Sequence, residues 1–230
     1  MSKNRYGYRD IKKLYEQNKH KEVSKIVKNR EITDYIRNRH LLKLSTEYNH
    51  TSLAQALLKL PMVIKNSNLE AIVENALHNG NKELVDSFIE NTTVNLNDHY
   101  YKNFDPPYYL INAATSKGHF DLAQHLIDKG HAQYEQLDFL SIEKIVDDKK
   151  WEFLDNFIDY ANDRGKWDSN GFKLYLLEGI SKAENNNRNI ALDRAIDKML
   201  INVDMISRML SGNYPEVSSK LLNTYKDNLD

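Results

Sequence analysis

The chain has 230 residues, 40% of them hydrophobic and 28% charged, and a formal net charge of −1. The apolar residues fall in short, evenly spaced clusters, which suits thin layers with a large surface better than one thick core. Absence of cysteine removes disulfides, thiol nucleophiles and cysteine-ligated zinc together and fits a reducing compartment. The opening MSKNRYGYRDIKKLYEQ has no apolar stretch able to serve as a signal peptide, and no later segment approaches a membrane span, so a cytoplasmic, intracellular protein is expected.

Charge is unevenly spread. Residues 1–43 carry 13 Lys/Arg against 5 Asp/Glu, a balance of +8, and the remainder of the chain is −9. The basic end is expected to cap whatever the rest of the chain builds. The frequent Asn and Lys point to an AT-rich genome, that of a virus, phage or parasite, which would place the protein in a host-cell cytoplasm.

Taken in chain order, the elements repeat. A turn at Asn18 precedes an apolar stripe of Val23, Ile26 and Val27, and one at Asn49 precedes Leu53, Ala54, Leu57 and Leu58. Leu69, Ile72, Val73, Ala76 and Leu77 follow the spacing of an amphipathic helix, opened by a capping-box signal from Ser67 and Glu70. Gly80 breaks it, and a second helix follows with Leu84, Val85, Phe88 and Ile89 on one face and Asn91 at its C-terminal end. The clearest unit runs from Ala114 to Gly130, ATSKGHFDLAQHLIDKG, with its turn at Gly118 and its stripe at Leu122, Ala123, Leu126 and Ile127. A fifth turn at Lys149 leads to Phe153, Leu154, Phe157 and Ile158. The turns are separated by 31, 31, 38 and 31 residues. Each unit reads as two helices that cannot bury their stripes alone, so successive pairs must stack.

Beyond residue 165 the pattern loosens. Residues 172–183 and 190–202 make another pair, with Leu174, Leu177 and Ile180 facing Ala195, Ile196, Met199 and Leu200, and with Asn185 to Asn189 lengthening the turn between them. A last pair passes through Ile206, Met209 and Leu210, breaks at Gly212 to Pro215, and resumes with Val217, Leu221 and Leu222. The expected fold is therefore all-α: one domain over 1–230, a solenoid of about seven helix-turn-helix repeats, with a basic cap at 1–43, the best-defined repeats at 44–163 and divergent ones at 164–230.

The run GHFDLAQHLIDKG at 118–130, preceded by Ile111, Asn112, Ala113, Ala114 and Thr115, resembles the second half of an ankyrin repeat. There Gly-His turns the chain, Leu-Ile packs the outer helix and the final Gly releases it. The resemblance covers about residues 10–163 and implies a protein-binding array. Two departures stand out. No unit keeps the Thr-Pro-Leu-His opening, and 31 residues is shorter than the ankyrin period of about 33, so the β-turn fingers are expected to be trimmed or lost.

No catalytic signature is present: Gly-x-Ser-x-Gly, His-Glu-x-x-His, a Walker loop and Gly-x-Gly-x-x-Gly are all missing. No enzyme activity, cofactor or metal is expected. His119, His125 and His131 stand six apart, off a common helical face, and His119 is expected to support its turn by hydrogen bonding. Asp147, Asp148, Lys149 and Lys150 read as a solvated turn of mixed charge.

Two binding readings remain. The leading one is a scaffold that engages a partner protein through its fingers and concave face, a viral, phage or bacterial factor that sequesters or inhibits a cellular protein. The 38-residue spacing carries Tyr100, Tyr101, Phe104 and Tyr108, which either anchor a partner or fold back as extra core. Asn112, Thr115 and Ser116 on the neighbouring helix face, and Trp167 in the loop from Asp163 to Gly171, complete the candidate set. The alternative is a nucleic-acid-associated protein that grips phosphates with Lys12, Lys13, Lys19, Lys21, Arg37 and Arg39, with Tyr6, Tyr8 and Tyr15 available to stack on bases. No membrane partner and no small-molecule substrate is expected.

Overall fold

All five turns of the repeat are closed in the same way. In a computed structural model of the protein, which describes residues 6–29, 39–60, 69–93, 109–163, 169–198, 207, 211 and 215–225, Asn18, Asn49, Gly80, Gly118 and Lys149 all adopt left-handed backbone, with φ between 55° and 80°. At each, the turn residue's N–H donates to the carbonyl three back and the next N–H to the carbonyl five back, at 2.6–3.0 Å. This paired closure satisfies carbonyls that a helix end would leave orphaned. Glycine adopts this conformation freely and asparagine at small cost. Lysine does not, so Lys149 at φ 57° is the one strained member.

The described residues are helical and contain no strand element. In chain order the helices are α1 (Tyr8–Glu16), α2 (His20–Lys28), α3 (Arg39–Glu47), α4 (Thr51–Leu58), α5 (Leu69–His78), α6 (Lys82–Asn91), α7 (Ile111–Thr115), α8 (Phe120–Asp128), α9 (Phe139–Asp147), α10 (Trp151–Asp163), α11 (Ser169–Lys182), α12 (Asn185–Lys198) and α13 (Pro215–Tyr225). No helix among the described residues is long and apolar enough to cross a membrane. The chain divides into two compact units, residues 1–96 and 97–230, and the division falls within the stretch that lengthens the spacing to 38.

In the first unit, α3 packs on α5 and α4 on α6, first helix against first and second against second. Their stripes form the core: Leu41, Leu42, Leu44, Leu58, Ile72, Val73, Leu77, Leu84, Val85 and Phe88 are buried. Asn81, which starts α6, ties hairpin to hairpin. Its side-chain oxygen accepts from the Leu84 N–H at 2.9 Å, and its amide donates to Asn49 and to Thr51 Oγ1. On the second helices, Gln55 Nε2 donates to Ser87 Oγ at 3.0 Å.

The second unit repeats the scheme. Helix α9 packs on α7 and α11, and α10 on α12. After α8 the chain turns at Gly130 (φ 73°), passes through a 3₁₀ turn at Tyr134–Gln136, and enters α9 under a cap in which Asp138 Oδ1 accepts from the Ser141 N–H at 2.7 Å. A 3₁₀ turn thus occupies the linker between α8 and α9. Tyr134 is buried there, stacked on Phe157 at 5.0 Å, with its hydroxyl donating to Gln124 Oε1 at 2.9 Å. Asn156 Nδ2 donates to Gln124 Oε1 at 3.4 Å, echoing the Gln55–Ser87 bond of the first unit. Charged pairs continue the row: Arg194 with Asp155 at 2.9 Å, Lys198 with Asp159 at 3.4 Å and Lys220 with Asp193 at 2.6 Å.

One boundary differs from expectation. Asn185 to Asn189 do not lengthen a turn but form the start of α12, because Ala191, Leu192, Ala195 and Ile196 extend a buried stripe that the preceding turn of helix must carry. Met199, Leu200, Ile206, Met209, Leu210 and Ser67 lie outside the described residues.

Candidate functional site

Of the described basic residues in the first 43 positions, Arg9, Lys12, Lys13, Lys19, Lys21, Lys25 and Lys28 lie on the α1–α2 hairpin. Lys13, Lys21, Lys25 and Lys28 are exposed, Lys12 is half-buried, and Lys19 is exposed beside Glu22, 3.8 Å away. Arg39 opens α3, while its side chain and all of Arg37 lie outside the described residues. Tyr8 and Tyr15 are both engaged with other rings of the fold. Tyr8 is half-buried with its ring edge-on to His40 at 5.6 Å, and Tyr15 is buried, stacked on Tyr48 at 5.1 Å. Tyr15 is therefore a core residue unavailable to a base.

Of the residues expected to face a partner, two are used inside the fold. Asn112 is 1% and Thr115 0% exposed. Asn112 Nδ2 donates to the Gln136 carbonyl at 3.0 Å, and its Oδ1 accepts from Ser141 Oγ at 3.0 Å and from the Asp138 N–H at 3.2 Å. Thr115 Oγ1 shares a 2.7 Å hydrogen bond with Ser141 Oγ. These groups fasten α7 to α9 and its entry turn, so neither is displayed. Only Ser116, at the C-terminal end of α7, is exposed. Tyr100, Tyr101, Phe104, Tyr108 and Trp167 lie outside the described residues.

A surface missed by the sequence reading lies between α9 and α11. Phe139 opens α9 and stacks on Tyr175 of α11 at 4.2 Å, and Lys182 Nζ stands 4.1 Å over the Phe139 ring. The Tyr175 hydroxyl donates to the Leu137 carbonyl at 3.0 Å. Burial, then the carboxylates of Asp138 and Glu178, push its pKa up to about 12, so it remains a neutral, fixed donor. Next to this pair Leu140 is 70% exposed, the most exposed large apolar side chain among the described residues. The reason is geometric: α9 buries Ser141, Ile142, Ile145 and Val146, which leaves Leu140 on the opposite side together with Lys144, itself paired with Asp148 at 2.7 Å. The only sequence signal was the adjacency of Phe139 and Leu140 at a helix start.

Two further arrangements bear on chemistry. Ser24 Oγ lies 3.2 Å from His50 Nε2, and the Tyr15 hydroxyl 3.1 Å from Nδ1, the order of a hydroxyl, a base and an orienting group. Burial drives the Tyr15 pKa far up, so the orienting group carries no charge to balance an imidazolium, and His50 is only 8% exposed. The string is a core network. Among the described residues no group of three or more His, Asp or Glu is placed to hold a metal ion.

His119 contributes to its turn through the backbone. Its N–H donates to the Ala114 carbonyl at 3.0 Å, while its side chain makes no cap bond to α8. At the mixed-charge turn Asp147 accepts from the Glu184 N–H at 2.9 Å, and Lys150 lies over the Phe120 ring at 5.7 Å. Compared with protein-family models, curated proteins and solved structures, the chain has no significant match.

Proposed function

We propose that the protein is a non-catalytic binding scaffold, a solenoid of ankyrin-like helical hairpins acting inside the cell, that receives a partner protein on the face of its first helices. The repeat reading is supported by the uniform left-handed closure of five turns in one register and by polar links between residues about one repeat apart. The observation that carries the binding role is Leu140, held 70% exposed beside the Phe139–Tyr175 stack. Aromatic groups next to an exposed apolar side chain are the material of interface anchors.

The test is a comparison of wild type with Leu140→Asp as baits in a lysate of the native host, read by quantitative mass spectrometry. The variant should melt like wild type, since an exposed substitution changes stability by about 0.5 kcal/mol or less. It should lose the partner by roughly tenfold or more, the effect of a central anchor. Undiminished retention by the variant would remove Leu140 and its neighbours from the binding site.

A second reading, favoured by the exposed Lys13, Lys21, Lys25 and Lys28 of the α1–α2 hairpin, is nucleic-acid binding. It predicts affinity for a single-stranded oligonucleotide that falls steeply with salt and is lost in a Lys13→Glu/Lys21→Glu double variant. Weak salt dependence would exclude it.

A further inference from the structure

His50 starts α4, and the groups that hold its ring come from the other hairpin. Tyr15 of α1 meets Nδ1 at 3.1 Å and Ser24 of α2 meets Nε2 at 3.2 Å. The His20 ring of α2 lies 5.0 Å from that of His50, and Tyr15 is in turn stacked on Tyr48, just beyond α3. One buried imidazole thus joins both helices of the α1–α2 hairpin to the start of α4. We propose that His50 is a proton-operated latch, which holds the basic α1–α2 hairpin against α3 and α4 while neutral and lets that hairpin open as a unit when charged.

The chemistry turns on charge and not on hydrogen-bond count. A neutral imidazole donates from one nitrogen and accepts at the other, and two hydroxyls can match either tautomer. The cation donates from both nitrogens and both hydroxyls can accept, so each bond survives protonation. What the site lacks, among the described residues, is a counter-charge. The titratable groups among them that face the ring are Tyr15 from α1, His20 from α2 and, through Tyr15, Tyr48. On the Tyr48 phenol, burial and then Glu47 act in one direction, Lys12 against them, and Glu16 and Tyr8 with them, and Glu22 is paired with Lys19. Burial, and after it the field of His20, hold the His50 pKa below its ordinary value.

The sign follows. The unfolded or opened hairpin takes up a proton near the ordinary histidine pKa of about 6.5, whereas the closed one takes it up at lower pH. The closed state is therefore fully favoured above that value and loses ground as the pH falls toward the folded pKa. The bonds at stake are those that join α1 and α2 to His50, so the loss should appear first in those two helices.

The experiment is amide hydrogen exchange on the full chain at about pH 7.5 and about pH 5, corrected for intrinsic rates. Protection in α1 and α2 should fall severalfold at the lower pH, while α3 to α6 keep theirs. In the same samples the His50 ring, followed by NMR, should titrate below the ordinary range. His50→Gln should remove the pH response whether or not it loosens the hairpin at neutral pH, and His20→Gln should reduce it. The proposal is overturned if His50 titrates at or above the ordinary value, if α1 to α6 lose protection together, or if His50→Gln keeps the wild-type response.

Discussion

Gly179 offers a test in which two effects of opposite sign compete. At an unhindered place inside a helix, alanine is favoured over glycine by about 1 kcal/mol. In α11, however, a Cβ on residue 179 would stand 2.6 Å from Ile142 Cγ2, 2.7 Å from its Cβ and 2.8 Å from its Cδ1, against about 3.5–4.0 Å for carbons in favourable contact. Rotation about χ1 of Ile142 can move Cγ2 and Cδ1 but not Cβ, so α9 and α11 must separate, and Ile142 is fully buried. Overpacking of this kind costs about 1–3 kcal/mol. Three such contacts, one with an atom that rotation cannot move, place the cost at about 2–3 kcal/mol, so packing should exceed propensity and leave Gly179→Ala destabilised by about 1–2 kcal/mol. For a chain of this length that is a fall in Tm of about 2–8 °C. Chemical denaturation followed by circular dichroism would measure it. A double-mutant cycle with Ile142→Ala, which removes two of the three close atoms, should show a favourable coupling on the order of 1 kcal/mol. A Gly179→Ala protein as stable as wild type, or a strictly additive cycle, would refute the close approach of α9 and α11.

The strained turn at Lys149 should respond in the other direction: Lys149→Gly relieves a left-handed lysine and is expected to gain about 0.5–1 kcal/mol in thermal denaturation, the relief being partly offset by glycine's freedom in the unfolded chain. Asn112→Ala removes the bonds that Asn112 makes to the Gln136 carbonyl, the Asp138 N–H and Ser141 and should cost about 1–3 kcal/mol, which would separate it from a surface residue whose loss is silent. Glu74 is held above the usual carboxylate range by burial, so the folded state retains its proton longer than the unfolded state and pays for ionisation as the pH rises through the folded pKa. Glu74→Gln should accordingly raise Tm at neutral pH and have little effect near pH 4, a little below the ordinary glutamate pKa of about 4.3; equal effects at both would refute the assignment.

What the sequence determined by itself was the local register. A break residue followed by an apolar stripe is a feature of one short segment, and the backbone closes each such turn with bonds that span five residues. This is why Asn18, Asn49, Gly80, Gly118 and Lys149 could be placed without reference to the rest of the chain. The helical character of the described residues follows from the same spacing. Residues whose roles depend on partners 24 to 37 positions away were not legible. Asn112 and Thr115 read as polar positions on an open helix face, yet Gln136, Asp138 and Ser141 approach them and turn them inward. His50 drew no notice in the sequence, and only the approach of Tyr15 and Ser24 to both its nitrogens gives it a role. Gly179 sits unremarked in an apolar run, and only the approach of Ile142 makes its missing Cβ a requirement. Periodicity says which face of a helix is apolar, whereas the identity of the side chain opposite each position is settled only when the hairpins stack.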